Sequence, residues 1–387
     1  MKTLFSYALA VCGAVAILAG CSGGGSGSPS SALGSTGLNA TQPGALALGH
    51  HHDGFMGLVE GARHPDHQKS WRSPELKKDV NGRQLWISDP GTNDVYIYNM
   101  PSLTLVATLT GFDQPQGECS DSSGDVWVTN TGYKSGNHVI YEYSHDAVLM
   151  KTLTDSTGLP VGCAWDKTTG NLAVTNIFDD GPSQPPGEVV VYPLVGSGAP
   201  TTYQDPDSSV YAYFSAGYDG RGNLYFDVAP YAYTPAYVDK LAKGATSVHR
   251  ITISSTIHGP GSVQWIPTRG GGNLAVEDDD CSGSFSPITS CIDYVTISHS
   301  AGTINSTTNL NNSLGVAACS VSQVVRSGKK LYAGDYEFSY STGFGCTSGS
   351  AATTIDIWSY PTGGDPLHTS AGLSSSNEPD GTAISVP

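Results

Sequence analysis

Two groups of side chains have the types to bind a metal. His50, His51, His52 and Asp53, with His64 and His67 after them, form the densest set of imidazoles in the chain. Neutral imidazole suits zinc or copper. Yet the set sits in a Gly-rich segment where nothing fixes its geometry, and solvated loop histidines are the simpler reading. Glu277, Asp278, Asp279 and Asp280 offer the hard oxygen ligands that suit calcium. Asp278 also shares one repeat position with Asp89, Asn130, Asn176 and Asp335. Turn capping accounts for all five, because Asx side chains bond the backbone ahead of them. Asp278 and Asp279 are therefore weak cation candidates, and the expectation is no cofactor, with a divalent cation as the alternative.

Covalent catalysis has less to draw on. No GxSxG nucleophile elbow occurs. GNLAVTN and GNLYFDV read as hairpin turns, since no helix follows to cradle a phosphate. Aromatic rings are a richer resource. Ten Tyr and Phe residues crowd positions 203–237. Packing accounts for some of them. Tyr231, Tyr233 and Tyr237 are expected in a long Pro-flanked loop, APYAYTPAYVDK (229–240), as the candidate contact surface for a peptide or glycan.

Eight cysteines complete the inventory. Cys12 falls in an apolar leader and Cys21 closes it. The remaining six are Cys119, Cys163, Cys281, Cys291, Cys319 and Cys346, an even number that suggests three disulfides outside the cytoplasm. Fifteen pairings are open. Cys281 and Cys291 flank one loop, Cys319 and Cys346 fall in one repeat, and Cys119 and Cys163 fall on neighbouring inner strands. No CxxC spacing favours zinc.

A repeat must position these residues. QPQGECSDSSGDVWVTN (114–130) returns as LPVGCAWDKTTGNLAVTN, AYFSAGYDGRGNLYFDV, GPGSVQWIPTRGGGNLAVED and LGVAACSVSQVVRSGKKLYAGD. A sixth copy is split between RQLWISD (83–89) and the C-terminal NEPDGTAISVP. The anchors Leu85, Val126, Leu172, Leu224, Leu274 and Leu331 are 41, 46, 52, 50 and 57 residues apart. That period fits one four-stranded propeller blade with its loops. The fold class is therefore all-β, a six-bladed β-propeller whose C-terminal strand closes blade one and leaves no free edge there.

The N-terminus sets the compartment. Residues 1–20 read as a secretion signal. Leu18-Ala19-Gly20-Cys21 resembles the bacterial lipobox, which implies acylation of Cys21 and stable membrane attachment through two or three chains. By the same resemblance, Ser22 directs the chain to the outer membrane of a diderm cell. Residues 21–45 form the lipidated cysteine and a Gly/Ser tether, 46–80 a docking segment with a capped turn at Ser73-Pro74-Glu75-Leu76, and 81–387 the propeller. Without residues 1–20 the charge is 17 Lys+Arg minus 34 Asp+Glu, or −17. Nucleic acid is excluded as an electrostatic partner.

The repeat resembles the NHL-repeat and SMP-30/gluconolactonase group of six-bladed propellers. SDPGTNDVYIYNMPSLTLVATLTGFDQPQGEC (88–119) is similar to a group of bacterial propeller lipoproteins of no known function. The lactonase resemblance implies a channel cation held at the starts of the inner strands. Those positions are Gln116, Val161, Ala216, Gly261, Val316 and Asp380, with Glu378 two residues before the last. Only Gln116, Asp380 and Glu378 are polar, too few for that site. The expected role is a non-catalytic binding or interaction scaffold at the cell envelope, held by lipid on Cys21 and meeting an envelope protein, peptide or glycan. The alternative is a metal-dependent hydrolase or lyase using Gln116, Glu378 and Asp380.

Overall fold

The computed structural model describes residues 70–74, 76, 82–179, 187–194, 198–230, 235–268, 271–283, 288–337, 346, 352–374 and 377–387. All lie within the unit Ala40–Pro387. The expected leader, Cys21, the tether, the six early histidines, Tyr231 and Tyr233 lie outside them.

The described chain is all-β and propeller-like. The first sheet holds β1 (Trp71–Arg72), β2 (Gln84–Asp89), β3 (Asp94–Asn99) and β4 (Thr104–Thr110). The second holds β5 (Pro115–Ser120), β6 (Val126–Asn130), β7 (Val139–Tyr143) and β8 (Leu149–Thr154). The third holds β9 (Gly158–Asp166), β10 (Asn171–Asp179), β11 (Glu188–Pro193) and β12 (Thr201–Tyr203). Next come β13 (Val210–Tyr218), β14 (Leu224–Pro230), β15 (Tyr237–Leu241) and β16 (Val248–Ile253), then β17 (Val263–Thr268), β18 (Gly271–Asp278), β19 (Cys291–Ser298) and β20 (Ala301–Asn309). The last full set is β21 (Val325–Ser327), β22 (Lys330–Asp335), β23 (Thr354–Ser359) and β24 (His368–Thr369). Finally β25 (Thr382–Ser385) pairs antiparallel with β2, from Gln84↔Ser385 to Ile87↔Thr382, so both ends of the repeat share one sheet.

Six separate blades were the expectation from the repeats. The structure has four blade-like sheets and one eight-stranded sheet. The fourth and fifth copies merge because their outer edges meet, with Thr252 and Ile253 pairing in parallel with Ala301 and Gly302. The sixth copy is irregular on its inner side, where only Val325–Ser327 forms a strand.

Packing explains the alternation in the sequence. Central strands such as β2 and β6 are buried throughout, because neighbouring sheets cover both faces. Outer β8 is almost wholly exposed. The apolar clusters lie between consecutive copies. Trp86, Ile97 and Val106 meet Val126 and Val128. Trp127 and Ile140 meet Leu172 and Val174. The last copy meets the first, as Tyr332, Ile355 and Ile357 pack on Leu85, Ile87 and Tyr98. Burying each such side chain contributes about 1.5–3 kcal/mol. The N-terminal approach joins this core. β1 pairs with β4, a turn follows in which the Leu76 amide donates to the Ser73 carbonyl, and Leu76 is buried beside Val106.

Candidate functional site: the central channel

The inner strands converge on two cavities that share Ser215 and Gln323. Their approach is close. A methyl group on Gly117 would overlap the Val161 carbonyl, and one on Gly162 would overlap the Phe214 carbonyl. The second strands stitch the ring together. The residue just before the capping position is Ser88, Thr129, Thr175, Asp227, Glu277 or Gly334. Ser88 donates its hydroxyl to the Gln116 carbonyl and accepts the Gly381 amide at 2.9 Å. Thr129 donates to the Gly117 carbonyl at 3.0 Å, and Thr175 to the Phe214 carbonyl. Asp227 accepts the Ser215 and Gly261 amides at 2.6 and 2.7 Å, which ties the fourth copy to the fifth.

The capping position itself binds the loop that enters each inner strand. Asp89 accepts the Glu378 amide at 2.9 Å, and Asn130 the Asp113 amide at 2.7 Å. Asp278 accepts the Gly259 and His258 amides at 2.9 and 3.0 Å. Its oxygens are thus occupied by backbone donors. Asp279 is buried and accepts the Ser290 hydroxyl at 3.1 Å. Burial, together with Asp280 and Asp278, pushes its carboxyl well above the usual range.

The narrow cavity is the expected catalytic position, and it brings Gln116 and Asp380 together. Val161 and Gly261 also line it. Two positions differ from expectation. Ala216 lies in the wider cavity, and Phe214 and Ser215 hold the constriction in the fourth copy. Val316 is exposed on a turn closed by the Asn312 carbonyl and the Gly315 amide, and Ser322 takes the channel position of the sixth copy. The reason is that Leu314-Gly315-Val316 resembles the Leu159-Pro160-Val161 that enters the third copy, yet Val316 lies 15 residues before Leu331, whereas Gln116 lies 10 before Val126 and Ser322 lies 9 before Leu331. Glu378 is half-buried outside this lining and accepts the Tyr336 hydroxyl at 3.3 Å. Burial pushes the Asp380 carboxyl up to about 7, aided by the Glu378 and Asp89 charges and opposed by a hydrogen bond from Ser322. The volume at this point is about 20 Å³, room for about one water molecule. No substrate fits between Gln116 and Asp380 in this conformation.

The wider cavity, about 230 Å³, opens past them. Trp165, Tyr218 and Trp265 are partly exposed on its wall. Trp265 is held by stacking on Tyr225, with ring centroids 5.5 Å apart. Gln323 floors the cavity and bridges copies. Its side chain accepts the Glu118 and Thr382 amides at 3.0 and 2.8 Å and donates to the Glu118 carbonyl at 3.1 Å. The Glu118 side chain is buried beside it. The Ala383 amide comes near, but neither carboxyl oxygen has a hydrogen bond of ordinary geometry. Burial therefore pushes this carboxyl well above its usual range. The Thr382 hydroxyl is also buried without a hydrogen bond. Glu118 stands two residues after Gln116, but a register shift between Pro115 and Glu118 interrupts the alternation there, and the two residues line different cavities.

Elsewhere among the described residues, two groups have ligand atoms within 4.8 Å of one another: Asp121 with Asp125 and Glu142, and Cys319 with Glu337 and Cys346. The first sits beside Lys151, and Asp121 accepts the Ser123 and Asp125 amides. In the second, both sulfurs form a disulfide. Among the described residues the disulfides are Cys119–Cys163, Cys281–Cys291 and Cys319–Cys346. Tyr237 is half-buried under the Arg250 guanidinium, 4.1 Å from the ring centroid, and Arg250 is held by Asp205 and Asp239 at 2.8 and 3.0 Å.

The comparisons with known proteins bear on the fold. No protein-family profile matches the chain, and no curated protein matches it. A solved protein of unknown function from Bacteroides caccae is similar in structure, with a TM-score of 0.55 at 11% identity over 79% of this chain and 99% of that one. Hydrazine synthase from Kuenenia stuttgartiensis aligns with a TM-score of 0.47 at 13% identity, over 77% of this chain and 79% of that one. The first similarity supports the propeller-like fold and nothing finer.

Proposed function

We propose that the chain is a lipid-anchored six-bladed β-propeller that binds a partner at the cell envelope without transforming it. The count of six treats the eight-stranded sheet as two blades joined at their outer edges. The apolar clusters between consecutive copies, with the last copy packed on the first, support that count. The lipobox-like residues before Cys21 and the even set of paired cysteines support an anchored, extracytoplasmic chain of the NHL-repeat and SMP-30 type.

One observation carries the binding role. The channel is pinched to about 20 Å³ at Gln116 and Asp380, and on the far side of Gln323 it widens to about 230 Å³ between aromatic rings and polar groups. A pocket of that kind holds a ligand by shape and a few directed contacts. The reacting groups of a hydrolase would instead have to meet substrate where only one water fits.

Two measurements test this. Elemental analysis of the purified full chain, with melting followed with and without EDTA, is expected to give no stoichiometric divalent ion and no shift. About one tightly held ion, lost with a fall in melting temperature, would overturn the non-catalytic reading. Mass spectrometry of the membrane-extracted protein is expected to find acyl chains on Cys21, and an unmodified N-terminus would remove the anchor.

A further inference from the structure

The strand register places an aromatic arc around the mouth of the wider cavity. The anchor of each second strand faces one inner-strand residue: Leu85 faces Ile384, Val126 faces Ser120, Leu172 faces Trp165, Leu224 faces Tyr218, Leu274 faces Trp265 and Leu331 faces Arg326. Equivalent register in consecutive copies puts these six at one level of the channel. Five of them line the cavity, while Arg326 turns to the Gly328 carbonyl and the Tyr360 ring. Copies three, four and five therefore present three large rings in succession, each partly exposed. The fold does not demand rings at this level, since the first two copies hold Ile384 and Ser120 there. Two of the rings are fixed. The Trp165 N–H donates to Ser122 Oγ at 3.3 Å, and Trp265 stacks on Tyr225. The Tyr218 hydroxyl, the Trp265 N–H and the half-buried Ser120 hydroxyl bond no described group. The wall carries no cation, because none of its residues is Lys, Arg or His. Its one acid, Glu118, is buried, which favours the neutral form. The far end narrows to about 20 Å³, so a ligand enters through the rim and only its end reaches inside.

We infer that the aromatic rim and the cavity behind it bind one uncharged sugar ring, the terminal unit of a neutral glycan. This rests on the channel-binding role proposed above and names its ligand class. A pyranose combines apolar C–H faces with hydroxyls around its edge. Aromatic side chains with polar tips suit both parts, offering area to the faces and hydrogen bonds to the hydroxyls. The Tyr218 and Ser120 hydroxyls can donate or accept, and the Trp265 N–H donates. The space suits one ring, since about 230 Å³ equals roughly eight water volumes at ~30 Å³ each. An anionic sugar or a phosphate would find no cation on this wall to offset its lost water. No bond is made or broken.

The test titrates the methyl glycosides of glucose, galactose, mannose and N-acetylglucosamine into the purified full chain, read by calorimetry. Methyl glucuronide serves as the anionic counterpart, and cyclohexanol as an apolar ring with a single hydroxyl. At least one neutral sugar is expected to bind saturably and several-fold more tightly than either control. Trp165→Ala is expected to weaken it about tenfold. Tyr218→Phe, which keeps the ring and removes only the hydroxyl, is expected to weaken it several-fold. If Trp165→Ala does not fold, Tyr218→Phe carries the test. Sugar binding that the folded variants leave unchanged overturns the inference. So does methyl glucuronide binding as tightly as the neutral sugars. If no sugar binds but cyclohexanol does, and Trp165→Ala abolishes it, the sugar assignment falls and the channel-binding role stands. If no probe binds, both fall.

Discussion

Gly117 and Gly162 show how little room the inner ring leaves to a side chain. Each faces a carbonyl of the next copy, Val161 or Phe214, and backbone cannot swing away as a flexible side chain can. Gly162→Ala is therefore expected to destabilise the fold by about 1–3 kcal/mol, the usual cost of overpacking, measured by urea or thermal unfolding. A neutral effect would mean that the inner strands are further apart than described. These glycines were legible in the PxG of the repeat. So were Gln116 and Asp380 as channel residues, because they start inner strands that the repeat aligns. Val316 was misplaced because LGVAAC resembles the LPVGCA of the third copy, although it lies 15 residues before Leu331 and the spacing of about ten seen from Gln116 to Val126 points to Ser322. Glu118 was passed over because a search for metal ligands looks for several acids together, whereas this is the one acid lining the wider cavity.

At the scale of strands, the disulfides do different work. Cys119–Cys163 ties β5 to β9 across a separation of 44 residues, whereas Cys281–Cys291 closes only 10. In the chain-entropy account the longer loop restrains the unfolded state more, by about 4 kcal/mol against about 3 kcal/mol. Replacing both cysteines of the first pair by serine is expected to lower the denaturant midpoint more than the same change in the second. The reverse order would mean that native-state effects outweigh loop length. The strands' edges are handled in several ways. β1 covers β4, the edges of β16 and β20 meet each other, and β12 and β24 are three and two residues long. β8 is a full six-residue edge, blunted by Lys151. The second and third strands were plain in the sequence because alternation and Gly turns mark them. The pairing of β16 with β20 was not, because two short contacts between outer edges leave no mark on either repeat.

For the whole molecule, the buried acids set the response to pH. Asp380 is raised to about 7 and Asp227 to about 8, and Glu118 and Glu277 stand well above the ordinary range, all chiefly through burial. In the unfolded chain these groups ionise near pH 4. Between pH 4 and each folded value the folded state holds more protons than the unfolded one, so stability falls as pH rises. The contribution is complete below about pH 4 and is lost by about pH 7 for Asp380 and about pH 8 for Asp227. At about 1.4 kcal/mol per unit, Asp380 alone contributes roughly 4 kcal/mol to this slope. Melting is therefore expected to be higher at pH 5 than at pH 8. A chain with 34 acids and 18 basic residues also repels itself more as pH rises. Salt separates the two causes. Self-repulsion between surface charges is screened at 0.5 M NaCl, where the screening length is only a few ångströms, but buried carboxyls are not. The fall should persist in salt and flatten in Asp380→Asn. A fall that vanishes in salt would assign it to the surface, and a melting temperature that rises from pH 5 to 8 would mean that the channel acids are already ionised in the folded ring.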